Sequence, residues 1–328
     1  MLVGCFFLLL LAYFSLTIGI YEITIKELLD TIFRMNPSEK LDLVIFQYRL
    51  PRIVLAILIG FGLGIAGAVL QGVSKNGLAD PGILGINSGA GAAIVIFMFF
   101  FQGTVTSTNW MTIMIMPLFG LIGGLTAALI IYLISWQDGR LDPQLLLLTG
   151  IAVGSGFGAL TLYLSLKMKA QDFEMATVWL SGSIYNANWM FIVSMIPWFL
   201  ICLPVILQKT YILDLFQLNE TSLKGLGVSV EREKSILLLC SVGLVSACVS
   251  VAGSISFVGL IAPHIARFLV GNQHKSIVPL SGLIGMILVV GADFIAKNVV
   301  APSEIPVGIV IAIIGVPYFV YLLFRVKI

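Results

Sequence analysis

The sequence predicts an all-α integral membrane protein of about ten spanning helices, and two observations carry that prediction. The first is composition. Of 328 residues, 59% are hydrophobic and only 10% are charged, and the mean hydropathy is +1.09, whereas a soluble domain carries about 25% charged residues. A soluble fold of this size could not hide so much apolar surface, so lipid is the expected solvent. The second is segmentation. Apolar runs long enough to span a bilayer, about 17–25 residues each, recur near 2–20, 53–72, 83–101, 112–135, 145–166, 189–207, 235–252, 255–271, 277–296 and 306–324.

The first run opens with Met1–Cys5, a faint echo of a lipoprotein cleavage site. No positively charged segment precedes it and the run continues to about Ile20, so it reads as a retained first membrane helix. The seventh and eighth runs are separated only by Gly253–Ser254, which leaves nine spans with a kink as the alternative count. An even count puts both termini on one side. With the N-terminus inside, ten lysines and arginines fall inside and eight outside, five of those eight in the single loop 21–52. The chain reads as one transmembrane domain, 1–328, with two long connections. In the outer one, about 21–52, Thr24–Phe33 predicts a short amphipathic helix with Ile25, Leu28, Leu29 and Ile32 on one face. The inner one, about 208–234, sets Leu213, Leu215, Phe216, Leu218, Leu223 and Leu226 among polar residues and predicts one or two short helices.

Charge and cysteine usage remove several function classes. The net charge is +2 and the basic residues are scattered at the ends of apolar runs, so there is no concentrated basic face for nucleic acid. Cys5, Cys202, Cys240 and Cys248 lie within apolar runs. Cys240 and Cys248 stand about 12 Å apart along one helix, beyond the roughly 7 Å a disulfide tolerates. Four free thiols are expected, with no metal-ligand spacing.

The motifs follow the same line. Gly62-Leu63-Gly64-Ile65-Ala66-Gly67 matches a dinucleotide fingerprint but sits inside a continuous apolar helix, where helix packing is the expected role. Gly60, Gly64 and Ala68, and likewise Gly120 and Gly124, stand four apart and predict close helix approach. No P-loop, zinc motif or serine elbow occurs, so no catalytic residue is assigned. His264 follows a proline and predicts a structural hydrogen bond. Asp293 and Glu304 are the ionisable groups nearest the interior of a span, which argues against a proton- or ion-coupled carrier. Trp110, Trp179, Trp189 and Trp198 read as an interfacial belt, with substrate stacking by Trp179 or Tyr185 as the sharper alternative.

Six blocks occur in an order shared with one family: Arg49-Leu50-Pro51-Arg52; Asn76-Gly77-Leu78-Ala79-Asp80-Pro81-Gly82-Ile83-Leu84-Gly85; Leu146-Leu147-Leu148-Thr149-Gly150; Trp179-Leu180-Ser181-Gly182-Ser183; Phe257-Val258-Gly259-Leu260-Ile261-Ala262-Pro263-His264; and Glu304-Ile305-Pro306-Val307-Gly308. From Arg49 to Phe324 the chain resembles the permeases of the iron–siderophore and vitamin B12 ABC importers.

That resemblance implies the fold of a type II ABC importer permease, and a ferric siderophore as cargo, with cobalamin or haem as the alternatives inside the same machine. It implies a second permease, identical or related, two ATPase subunits that carry ATP and Mg, an extracytoplasmic siderophore-binding protein, and a place in the bacterial cytoplasmic membrane. No cofactor or metal is expected on this chain. A stand-alone ion-coupled carrier is the reading from a different class.

Carried over position by position, the resemblance implies that Leu218, Asn219, Glu220, Gly225, Leu226 and Gly227 form the element coupled to the ATPase, with asparagine where the family usually has glycine at 219. Arg49, Arg52 and Lys297 match cations that dock the binding protein, Lys297 standing where arginine is found. Asp142, Pro143 and Gln144 match a cytoplasmic gate that usually carries small hydroxyls. Gly150, Val153 and Phe157 are the expected pathway lining.

Overall fold

The computed structural model describes residues 1–19, 21–35, 38–82, 85–101, 110–137, 139–218 and 220–325. Ten apolar helices fall where the runs predict them: α1 (Leu2–Thr17), α4 (Leu50–Ser74), α5 (Ile86–Phe101), α6 (Trp110–Ser135), α7 (Pro143–Ser165), α9 (Trp189–Gln208), α12 (Val230–Ala252), α13 (Val258–Val270), α14 (His274–Asn298) and α15 (Val307–Arg325). Between them lie α2 (Ile25–Ile32), α3 (Glu39–Asp42), α8 (Ala170–Leu180), α10 (Thr210–Leu215), α11 (Glu220–Gly225) and a two-residue hairpin of β1 (Trp136–Gln137) and β2 (Arg140–Leu141). Helix α8 lies in a connection that the hydrophobic runs leave as loop.

Helix α4 is the centre of the bundle. Its apolar stretch is buried nearly all round, and α12, α13 and α14 pack against it. Small residues make that possible. A Cβ at Gly60 would stand 2.3 Å from the Gly285 carbonyl oxygen, and one at Gly64 would stand 2.3 Å from that of Ser281. Without a hydrophobic force between helices in lipid, such backbone contact is what holds them together. The dinucleotide-like motif is therefore a packing surface: Gly62 meets Cys248 and Phe199, and Gly67 lies against the backbone of Gly259. Gly120 and Gly124 meet Ser250 and Ser246 of α12 in the same way.

Two helices start later than the runs suggest. The third run begins at α5's Ile86 rather than at 83, with residues 83–84 outside the described part, and the eighth begins at Val258 rather than 255. Helix α13 has 13 residues, about 20 Å of rise against a hydrocarbon core of about 30 Å. The chain between α12 and α13 is broken rather than kinked, with Gly253 at φ +72° and Phe257 at φ +68°, so the seventh and eighth runs form two separate helices among the described residues. The segment after α4 turns back into the bundle to meet this break. Asp80, 5% exposed, accepts the N–H groups of Gly82 and Phe257, each at 2.9 Å. The Asn87 amide donates to Ser254 Oγ at 3.1 Å, and Ser183 N–H donates to the Ala252 carbonyl at 2.8 Å. Non-helical backbone at such depth survives only when its polar groups are paired inside the protein.

The long connection between α1 and α4 is ordered by local chemistry. Thr24 and Glu27 form a reciprocal capping box at the start of α2, and the hydrogen bonds from Thr24 hold the Glu27 carboxyl below its usual range. Of the predicted apolar face only Leu28 enters a core, with Ile23, Leu41 and Ile45; Ile25, Leu29 and Ile32 stay exposed. A helix with one face left apolar suits the membrane interface. Trp198 departs from the belt expectation: it lies in mid-α9, its ring against Gly243 of α12. His264 Nδ1 meets the Tyr318 hydroxyl at 2.6 Å, the structural bond expected of it.

Candidate functional site

At one end of the bundle, a π-helical turn, Leu43–Arg49, runs straight into α4. Arg49 and Arg52 are three apart on this helix and share a face. Both open onto a cavity of about 710 Å³ that Tyr48, Tyr185, Lys297 and Glu304 also line. The three cations singled out in the sequence are thus brought together, although Lys297 lies on α14.

None of the three side chains is idle. Arg49 donates to the carbonyl oxygens of Leu16 and Tyr21. Lys297 donates to the Ser15 carbonyl at 2.7 Å and its hydroxyl at 2.8 Å. Arg52 holds two carboxylates: Asp293 Oδ1 takes Nε at 2.8 Å and one terminal nitrogen at 2.7 Å, while Glu304 takes both terminal nitrogens, at 3.1 and 2.8 Å. Asp293 and Glu304, the ionisable groups nearest the interior of a span, are thus the partners of Arg52. The available signal was that a carboxylate inside an apolar run needs a cation.

A second cavity of about 650 Å³ shares Tyr185, Asn186, Ala187 and Asn188 with the first, and Met98, Met116 and Trp179 give it an apolar wall. Trp179 is 9% exposed and packs over Gly253, whereas Tyr185 is 63% exposed and reaches both cavities. Of the two aromatic residues considered for stacking, Tyr185 alone presents its ring to open space.

Helix α7 faces outward for most of its length. Asp142 caps it, accepting Gln144 N–H at 2.8 Å and Leu145 N–H at 3.1 Å, with Pro143 following the cap. This is the arrangement a helix start favours, so capping accounts for the Asp-Pro pair whatever else it does. The Leu141 N–H donates to Glu231, tying the preceding hairpin to α12. The three residues expected to line the pathway lie on the inward side of α7 within this chain. Gly150 is buried beside Gly85, Val153 packs toward the core and Phe157 is half-buried. The open face carries Ile151, Ala152, Ser155, Gly156 and Ala159 instead. A Cβ at Gly156 would meet nothing within 4 Å.

The opposite end of the bundle carries the long connection between α9 and α12. Leu213, Phe216 and Leu223 are buried, and polar ties fix the frame: Asp214 to His274 at 2.7 Å, Lys209 to Glu233 at 2.5 Å and the Lys75 amine to the Leu218 carbonyl at 3.1 Å. Helix α11 ends at Gly225, and Gly227 sits at φ +76°, a turn glycine makes at low cost. Leu218 and Leu226 are left exposed, Leu226 at 63%. Asn219 lies outside the described residues.

The sequence profile of the FecCD transport family matches residues 7–325. Over 320 residues the chain is 54% identical to the iron-uptake system permease protein FeuC of Bacillus subtilis (strain 168), covering 98% of this chain and 95% of that protein. It is 46% identical over 321 residues to the iron(3+)-hydroxamate import system permease protein FhuG of the same organism, with the same two coverages. Among solved structures, a metal-chelate type ABC transporter in an inward-facing conformation superposes with a TM-score of 0.85 at 30% identity, over 99% of this chain and 98% of that one.

Proposed function

The chain belongs to the FecCD transport family, and from that premise we propose that it is the transmembrane permease of an ATP-driven importer that carries ferric siderophore complexes across the bacterial cytoplasmic membrane. The observation that carries the reading is the different equipment of the two ends of one bundle. One end gathers Arg49, Arg52 and Lys297 around a cavity of about 710 Å³. The other presents Leu218 and Leu226 on a connection pinned to α4, α12 and α14.

In this reading the cationic cavity receives acidic side chains of an extracytoplasmic siderophore-binding protein, since clustered cations steer and orient an anionic partner. Leu218, Glu220, Gly225, Leu226 and Gly227, with Asn219 beside them, rest against one of two ATPase subunits, which hold the ATP and Mg. The open face of α7 meets a second permease, identical or related, and the pathway runs between the two. Its lining is Ile151, Ala152, Ser155 and Gly156, with Asp142 and Gln144 at the inner mouth. This chain holds no cofactor; its work is to convert ATPase motion into alternating access.

The relatives named for iron uptake and iron(3+)-hydroxamate import support a ferric siderophore as the cargo. The test is uptake of a radiolabelled ferric hydroxamate into proteoliposomes that hold the complex purified from its native membrane. Uptake that requires enclosed ATP and a co-purifying ATPase supports the reading. Transport by the chain alone, driven by an ion gradient, overturns it.

A further inference from the structure

Arg52 holds its two carboxylates unequally. Asp293 lies on α14 with its side chain 2% exposed, whereas that of Glu304 is 22% exposed and faces the outer cavity. Glu304 sets two oxygens against the two terminal nitrogens of Arg52. That parallel fork is also the geometry by which arginine grips the carboxylate of another molecule. The other two cations of the cavity are satisfied differently. Arg49 and Lys297 bind uncharged oxygens of Leu16, Tyr21 and Ser15. They add attraction for a visiting anion without holding a rival at the mouth. Glu304 is such a rival.

Glu304 also sits in the link between α14 and α15. The Ile305 N–H donates to the Ala296 carbonyl at 3.2 Å, and four residues beyond Glu304 the Gly308 N–H donates to the Gly182 carbonyl at 2.9 Å. A Cβ at Gly308 would stand 2.2 Å from the Ser181 carbonyl oxygen, so the first turn of α15 lies directly on the end of α8. The Arg52–Glu304 pair therefore heads a short chain of contacts running from the outer cavity to the junction of α15 with α8.

We propose that Glu304 is an exchangeable internal ligand of Arg52, displaced by an acidic side chain of the docking extracytoplasmic protein, and that its displacement loosens the link 299–306 and the first turn of α15. This rests on the docking role given to the outer cavity above. Asp293 stays with Arg52 throughout, so the guanidinium is never left buried without an anion, the state that costs most. The exchange is the differential contact that lets docking favour one arrangement of α15 over another.

The experiment uses the assembled transporter in lipid nanodiscs and the siderophore-binding protein recovered with it from the native membrane. Glu304→Gln removes the rival anion, so docking tightens about fivefold or more, and ATP hydrolysis without the binding protein rises. Docking by Glu304→Gln that is unchanged or weaker overturns the proposal. Arg49→Ala and Arg52→Ala test the parent reading separately: docking indifferent to both removes that reading, whereas docking weakened by both but untouched by Glu304→Gln removes only the exchange. Should Glu304→Gln fail to assemble, hydrogen exchange on the unmodified complex decides. Faster exchange of amides 299–308 on docking supports the proposal, and unchanged or slower exchange overturns it.

Discussion

Arg52 and Asp293 are 241 residues apart in the chain, and their side chains meet at 2.7 Å with both largely withdrawn from water. The pair ties the start of α4 to the last turns of α14, the two helices whose backbones touch at Gly60 and Gly285. Removing Asp293 takes the most buried anion from this cluster and leaves the Arg52 Nε without an acceptor, with Glu304 alone to balance the guanidinium. Asp293→Ala is expected to destabilise the chain by about 3 kcal/mol or more, whereas Glu304→Gln, at a wetter position, costs about 1 kcal/mol or less. Unfolding of the purified protein by heat or denaturant distinguishes them; equal losses contradict the ranking.

The contact of α4 with α14 makes a second prediction. A Cβ at Gly60 meets Gly285 backbone, which cannot rotate away as a side chain can. Gly60→Ala is expected to cost about 2 kcal/mol, and Gly60→Val to prevent the bundle from forming. Gly156→Ala on the open face of α7 leaves the stability of the isolated chain within about 0.5 kcal/mol. Detergent-extracted yield and melting temperature check both, and a harmless Gly60→Val refutes the packing account.

Register along α7 can be read with single cysteines, in a background where Cys5, Cys202, Cys240 and Cys248 are replaced. Cysteines at Ala152, Ser155 and Gly156 are expected to react with a water-borne maleimide or to cross-link two permeases. Those at Gly150 and Val153, which face the interior of the chain, are expected to stay silent. The reverse pattern restores the lining read from sequence.

Leu226 and Leu223 separate contact from folding at the inner end. Leu226 is exposed and Leu223 is 1% exposed. Leu226→Asp is expected to leave the melting temperature unchanged and to lower ATP-driven uptake at least about tenfold, a loss near 1.4 kcal/mol of coupling. Leu223→Asp buries a charge and destabilises the inner connection outright. Uptake undiminished in Leu226→Asp, with the complex shown to be assembled, removes the coupling role.

Much of the fold was legible because lipid imposes a simple rule. A spanning segment must be apolar and about 20 residues long, so ten runs announced ten helices. Local chemistry was legible too: Thr24 and Glu27 sit at capping-box spacing before an apolar run, and α2 begins there. The rule breaks where non-helical backbone is paired inside the protein. The runs through Ile83 and Ile255 are apolar enough to be membrane helix, yet α5 starts at Ile86 and α13 at Val258, because Asp80 and Asn87 from one segment pair the free backbone and side chains of the other. Such pairing between distant segments leaves no periodic trace. Which face of α7 is exposed was hidden in the sequence for a related reason. Its small residues stand on every side, so composition did not say which side the neighbouring helix occupies.

The sequence by itself determined the apolar helices and the family, because each depends on composition or on residues near one another in the chain. Only the tertiary structure decided which face of α7 is open, where the membrane helices break, and that Arg52 is shared between Asp293 and Glu304. Those depend on groups from different helices meeting in a medium without water, where a charge or an unpaired backbone group must find its partner within the protein.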